Sequence, residues 1–171
     1  MTEDLSAVLR MALGAVRHGI PDSELRTATE QLISRYRSPK PAPSGSPIIS
    51  DAALAVAYAT YRMPATYAVC RRVLAEIAES VAPSSVVDLG GGTGAAAWAA
   101  VSAWAGVREV TVVDSSDAAL RLGRELAATS GESDVSAIEF VPADLTEEPS
   151  GASADLAVVS YVLSELAEGD Q

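Results

Sequence analysis

The segment Asp88-Leu-Gly-Gly-Gly-Thr-Gly94 constrains the fold more than any other stretch, because alternate glycines follow directly on a short apolar run. Glycines at the carboxyl end of a strand let the chain turn sharply and let a ligand approach the backbone. A helix starting after such a loop presents free N–H groups to the same place. The surrounding pattern fits. Residues 85–89 read as a first strand, and the alanine-rich stretch from Thr93 to about Trp104 as a helix. Residues 109–113 predict a second strand ending on Asp114, and 116–129 a helix with Ala119, Leu120, Leu122, Leu126 and Ala127 inward. Residues 137–141 and 154–160 predict a third and a fourth strand, with Val162, Leu163 and Leu166 opening one more helix. Nearly continuous apolar strands alternating with helices predict a parallel sheet covered on both faces.

The first 80 residues have a different rhythm and read as wholly helical. Leu5, Val8, Leu9, Ala12, Leu13 and Val16 recur at helical spacing up to Gly19, and Pro21 restarts a helix through Leu25, Ala28, Leu32, Ile33 and Tyr36. Four prolines within residues 38–47 then mark the clearest internal boundary. Ser50 is the predicted N-cap of the next helix, and Pro64 predicts a boundary or kink at residues 62–64 before a further helix to about Val81. The expected organisation is a helical region over 1–37, a proline-rich linker over 38–49, helices leading into the core over 50–81, and an α/β domain over 82–171.

Charge is divided in the same way. The net charge is −11, yet residues 1–80 hold nine basic against eight acidic residues, whereas residues 81–171 hold Arg108, Arg121 and Arg124 against fifteen acids. A phosphate-bearing partner needs cations, so any RNA-facing surface is expected on residues 1–80. A merely solvating acidic surface explains the same asymmetry. No apolar run reaches the roughly 18–20 residues needed to cross a bilayer. The single cysteine, Cys70, cannot form an internal disulfide, and a reducing cytoplasm is the expected setting. It reads as a buried small hydrophobe. His18 has no cluster of further metal-binding residues around it.

A glycine loop alone does not choose its ligand. Gly90-x-Gly92-x-x-Ala95, with Asp114 at a suitable distance, also satisfies the dinucleotide pattern. The acids at the strand ends favour S-adenosyl-L-methionine. Asp88 precedes the glycines, where a carboxylate can hold a cationic amino end directly or through water, and where a diphosphate would be repelled. Asp114 ends the second strand, where it can accept both hydroxyls of a ribose. Asp144 follows the third strand, where it can accept an exocyclic adenine amine while Leu145 covers the ring. The expected donor-binding set is Asp88, Gly90, Gly91, Gly92, Gly94, Asp114, Ser115, Asp144, Leu145 and Ser160. Each acid alone reads equally well as a helix cap or surface group.

With these residues in place, the stretch 84–166 resembles the class I methyltransferases. The segment before it, Ala57-Tyr-Ala-Thr-Tyr-Arg-Met-Pro-Ala-Thr-Tyr67, followed by Arg71-Arg72-Val-Leu-Ala-Glu76 and by Ala97-Trp98 after the loop, is similar to the methyltransferase-like family associated with the small ribosomal subunit of bacteria and mitochondria. That resemblance implies a Rossmann-like sheet and an S-adenosyl-L-methionine-dependent enzyme for rRNA modification or ribosome assembly. Small-subunit rRNA or ribosomal proteins would then meet residues 1–80. A small-molecule O- or N-methyltransferase and a non-catalytic assembly factor that binds the donor are the alternatives. Arg62 and Tyr67 are candidates to close over the donor or touch RNA, and Ser160 and Tyr161 to line the methyl site, Tyr161 equally as a packing aromatic.

The end of the sequence departs from the family. Only four of about seven strands are legible, the fourth is left as an open apolar edge, and the cysteine-rich region that relatives use for an iron–sulfur cluster has no counterpart. The expectation is a fragment of a longer protein, or a sheet completed by a partner chain or oligomer. Residues 159–162, Val-Ser-Tyr-Val, lack the Asp/Asn-Pro-Pro-Tyr pattern of base-amine methyltransferases, so no catalytic residue is assigned.

Overall fold

Valine dominates β1 (Ser85–Leu89) and β2 (Glu109–Asp114), which form the centre of a parallel sheet. Branched side chains suit strands whose surfaces must be packed. The computed structural model describes residues 4–37, 51–146 and 153–162. With β3 (Glu139–Pro142) and β4 (Leu156–Val159) the strand order is β3-β2-β1-β4, every pairing parallel. Val86 lies opposite Val110 and Leu156, Asp88 opposite Val112 and Val158, and Val112 opposite Phe140, so these side chains share one face.

Two helices, α4 (Ala95–Ala103) and α5 (Asp117–Thr129), cover that face. Asp88 accepts from the Ala97 N–H of α4, and Phe140 lies against Gly94 and Gly123. The opposite face carries Val141 and Val159 at 40% and 42% exposure, with no described helix against it. Cover on both faces was the expectation; among the described residues it exists on one. At the amino end of the sheet Asp155 clips β4 to β1, its carboxylate accepting from Ser84 N–H and Oγ and from Ser85 N–H. These hydrogen bonds hold its pKa below the usual carboxylate range.

The alanines of α4 are buried all round, together with Trp98. A helix apolar on every side belongs between two layers, and α4 lies between the sheet and the long helix α3 (Ala52–Ile77). Here the sequence expectation needs correcting. The boundary or kink expected at Pro64 does not divide α3, which continues through it. Pro64 removes the N–H that would bond the Thr60 carbonyl, but Thr60 is exposed and water can replace the lost donor. Met63 and Tyr67, both buried, hold the helix on either side of the proline. The N-cap is Asp51, whose carboxylate accepts from Leu54 N–H at 2.9 Å. Ser50, the proline-rich stretch 38–49, and the helix expected around Leu163 and Leu166 lie outside the described residues.

Two further helices, α1 (Ser6–Arg17) and α2 (Asp22–Arg37), agree closely with the helical pattern and pack on α3. A one-turn helix α6 (Ser133–Ser136), with no counterpart in the sequence reading, precedes β3 and delays its start to Glu139. Tyr67 corrects a second expectation. It is 1% exposed, its hydroxyl accepting from Leu5 N–H at 3.0 Å and lying 3.3 Å from Ser102 Oγ. It therefore ties α1 to α3 and α4 and faces neither donor nor RNA. Tyr67→Phe leaves the buried Leu5 N–H without its acceptor and is expected to cost about 1–3 kcal/mol, measured by urea unfolding.

Candidate functional site

The glycine loop is held by backbone hydrogen bonds. Gly90 and Gly91 N–H both donate to the Val113 carbonyl, at 2.8 and 3.2 Å, and Gly94 N–H donates to the Gly91 carbonyl at 2.8 Å. Two positions show why glycine is required. A Cβ at Gly91 would lie 2.5 Å from the Asp88 carboxyl group and 2.9 Å from Val112. Gly92 has φ +55°, and a Cβ there would meet only Asp114 Oδ2, at 3.9 Å. Gly91 thus closes the loop inward, and Gly92 leaves its outer side open to a ligand backbone contact.

The three acids have three different surroundings. Asp88 is wholly buried beneath the loop. Its Oδ2 accepts from Ala97 N–H at 3.2 Å, and its Oδ1 has no hydrogen-bond partner among the described residues. Burial pushes its pKa up to about 7, the charge of Asp114 adding to the rise and the N–H groups of Ala97 and Ala96 opposing it. The carboxylate therefore faces the first turn of α4, not the open side of the loop where the sequence reading expected it to meet the donor.

Asp114 is the acid that reaches the open side. Its Oδ2 accepts from Gly92 N–H at 2.9 Å and its Oδ1 from Ser116 N–H at 2.8 Å. Burial raises its pKa, while the N–H groups of Ser116, Gly92 and Ser115 pull it back. Each oxygen keeps a second lone pair for a ligand hydroxyl. Ser115 is exposed, and Ser116 turns inward to cap α5 by accepting from Ala119 N–H.

Asp144 is exposed and accepts from Thr146 N–H and Oγ1 at 2.9 and 2.7 Å, which holds its pKa low. Ala143 N–H donates to the Asp114 carbonyl at 3.1 Å, so the segment carrying Asp144 and the half-buried Leu145 starts beside Asp114.

Helix α3, on which the sequence offered Arg62 and Tyr67 as candidates, meets the loop through Met63, a residue the sequence did not single out. Thr93 Oγ1 lies 3.3 Å from Met63 Sδ. Buried Cys70 senses both strand ends: burial and the charge of Asp88 push its thiol pKa up, and a hydrogen bond with Ser160 opposes them. After β4, Val162 packs so tightly on Gly90 that a Cβ there would lie 2.5 Å from it. Between Ser160 and Val162, Tyr161 has φ +64°. The Arg62 guanidinium stands 5.6 Å from the Tyr161 ring centroid. Helical periodicity announces none of these meetings. One cysteine in the whole sequence does not fit an iron–sulfur cluster, which takes several thiolates.

A glycine loop at the end of β1, acids ending β2 and following β3, and helices linking β1 to β2 and β2 to β3 of a parallel sheet are the features of the Rossmann-like fold of the class I methyltransferases. The profile of the mitochondrial small ribosomal subunit Rsm22 family matches residues 52–171, and the chain belongs to that family. No curated protein matches it. Among solved structures it is similar to a Methanococcus maripaludis protein assigned to the S-adenosyl-L-methionine-dependent methyltransferases, with TM-score 0.55, 19% identity, and coverage of 74% of this chain and 57% of that one. A Nostoc punctiforme protein assigned as an O-methyltransferase gives TM-score 0.53 and 18% identity, covering 78% and 39%. The glycopeptide N-methyltransferase MtfA gives 0.50 and 23%, covering 61% and 44%. The chain thus spans 57% or less of the length of these three structures.

Proposed function

We propose that the chain binds S-adenosyl-L-methionine at the carboxyl ends of β1, β2 and β3 and belongs to a methyltransferase that serves small-subunit rRNA modification or assembly. The observation carrying the donor reading is Asp114, whose carboxylate joins the glycine loop to the start of α5 while keeping lone pairs for two ribose hydroxyls. Gly92 and its open outer side fit the amino-acid and ribose end of the donor, and Asp144 with Leu145 the adenine. The bound donor supplies a methyl group already activated on a sulfonium, so the protein's task is to position the acceptor in line with it. Ser160 closes the far side of the donor site.

Family membership supports the ribosomal assignment. The non-catalytic alternative, a donor-binding assembly factor, retains the same site. A further strand from a partner chain or from the rest of a longer protein would complete the sheet beside β4.

Calorimetric titration with S-adenosylmethionine, S-adenosylhomocysteine and NAD tests the central point. Binding of both donor compounds and no heat from NAD is expected. Binding of NAD alone overturns the donor assignment.

A further inference from the structure

Residues 90–94 read Gly-Gly-Gly-Thr-Gly, so Thr93 carries the loop's one side chain, and that side chain is buried, 4% exposed. The loop's backbone is tied to β2, through the Val113 carbonyl and the Asp114 carboxylate. Thr93 links it to a different layer: its hydroxyl lies 3.3 Å from Met63 Sδ of α3. On either side stand Gly92 and Gly94, at φ +55° and +86°, with no Cβ to resist a change of backbone angle. The outer half of the loop therefore sits where the Thr93 side chain is anchored.

The anchor is itself fixed. Met63 is buried, 2% exposed. One turn further on, the Tyr67 hydroxyl accepts from Leu5 N–H and lies 3.3 Å from Ser102 Oγ. Two turns on, Cys70 is hydrogen-bonded with Ser160 after β4. Helix α3 is thus tied to α1, to α4 and to the end of β4, and it does not follow the loop if the loop moves.

We infer that Met63 is a positioning residue for the methyl donor: its sulfur accepts from the Thr93 hydroxyl and so fixes Gly92, whose outer side meets the amino-acid and ribose end of S-adenosyl-L-methionine. This rests on the donor reading above and adds α3 to the elements that determine affinity. A thioether sulfur is a weak acceptor, so the importance of the contact lies in what its loss leaves, a hydroxyl buried without a partner. Thr93 then turns toward water, and the two glycines permit the movement. The empty loop spreads over positions in which Gly92 no longer faces the donor, and binding must first restore the one in which it does.

The test is calorimetric titration of the full chain with S-adenosylmethionine, alongside amide hydrogen exchange of the loop. Met63→Leu keeps the volume and removes the acceptor. It should weaken donor binding roughly tenfold and speed exchange of the Gly92 and Gly94 N–H groups by a similar factor. Adding Thr93→Val to Met63→Leu removes the orphaned hydroxyl and should bring affinity back to within about threefold of the wild type, because two apolar groups of the same shape leave nothing unsatisfied. Tyr67→Phe controls for stability. It breaks a buried hydrogen bond of the same helix that faces α1, so it should lower the thermal midpoint and leave donor affinity unchanged. The proposal is overturned if Met63→Leu binds the donor as the wild type does, or if Thr93→Val fails to rescue it. It is overturned equally if Tyr67→Phe weakens donor binding as much, since the effect would then be a general loosening of α3. Absence of heat from the wild type removes the donor reading and this role with it, a failure distinct from unchanged affinity in the variant.

Discussion

Asp114→Ala is expected to lower affinity for S-adenosylmethionine by about a hundredfold or more. Two hydrogen bonds from ribose hydroxyls to one carboxylate are each worth about 1.5–3 kcal/mol, being charge-assisted, and a hundredfold corresponds to about 3 kcal/mol. The same substitution takes the acceptor from Gly92 N–H and Ser116 N–H, so the loop also loses the side chain that joins it to the end of β2. Asp114→Asn separates these effects. Its amide oxygen can still accept from one of the two N–H groups, while the charge and one acceptor are lost, and an intermediate affinity is expected. Calorimetry gives both values, and circular dichroism checks that the helices persist. Unchanged affinity in the alanine variant would remove the ribose assignment.

The second large effect is on stability as a function of pH and follows from Asp88. Burial beneath the loop raises its carboxyl pKa from 3.8 to about 7. Between those two values the native chain retains a proton that the unfolded chain releases. Unfolding free energy therefore falls as pH rises from about 4 to about 7, by a total on the order of 4 kcal/mol. Asp114, also raised by burial, contributes with the same sign. Asp4 and Asp155, both held low by hydrogen bonds, contribute stability that is lost only as pH falls below about 4. Asp88→Asn should flatten the slope between pH 4 and 7 without changing that below it. Urea unfolding of both proteins at pH 5 and pH 8 measures the difference. Parallel curves would show that Asp88 is already ionised and satisfied in the native state.

The two predictions assign different tasks to acids that look alike in the sequence. Asp88 and Asp114 both lie at the carboxyl ends of neighbouring strands, yet one braces α4 from beneath and the other joins the loop on its open side. The distinction comes from register. Asp88 shares a face with Val112 and Phe140, which α4 and α5 cover, whereas Asp114 lies one residue beyond the last β1–β2 pair, where the strand opens toward Gly92.

Local pattern by itself determined the order of strands and helices from β1 to β4 apart from the one-turn α6, the glycine loop between β1 and α4, the Ser116 start of α5 and the family resemblance. Those features depend on periodicity, on glycine's access to positive φ and on side chains a few residues apart. What required the tertiary structure depends on which distant surfaces meet. Continuous packing carried α3 through Pro64, where a local rule predicts a break, because the proline's cost falls on an exposed carbonyl and the buried residues lie on either side. Tyr67 became a tie for α1 because Leu5 and Ser102 converge on it from other helices. The loop sequence marked where a ligand would sit and offered Arg62, Ser160 and Tyr161 as candidates beside it; only folding revealed that Asp88 turns away from that place, and that Arg62 of α3 stands over the Tyr161 ring.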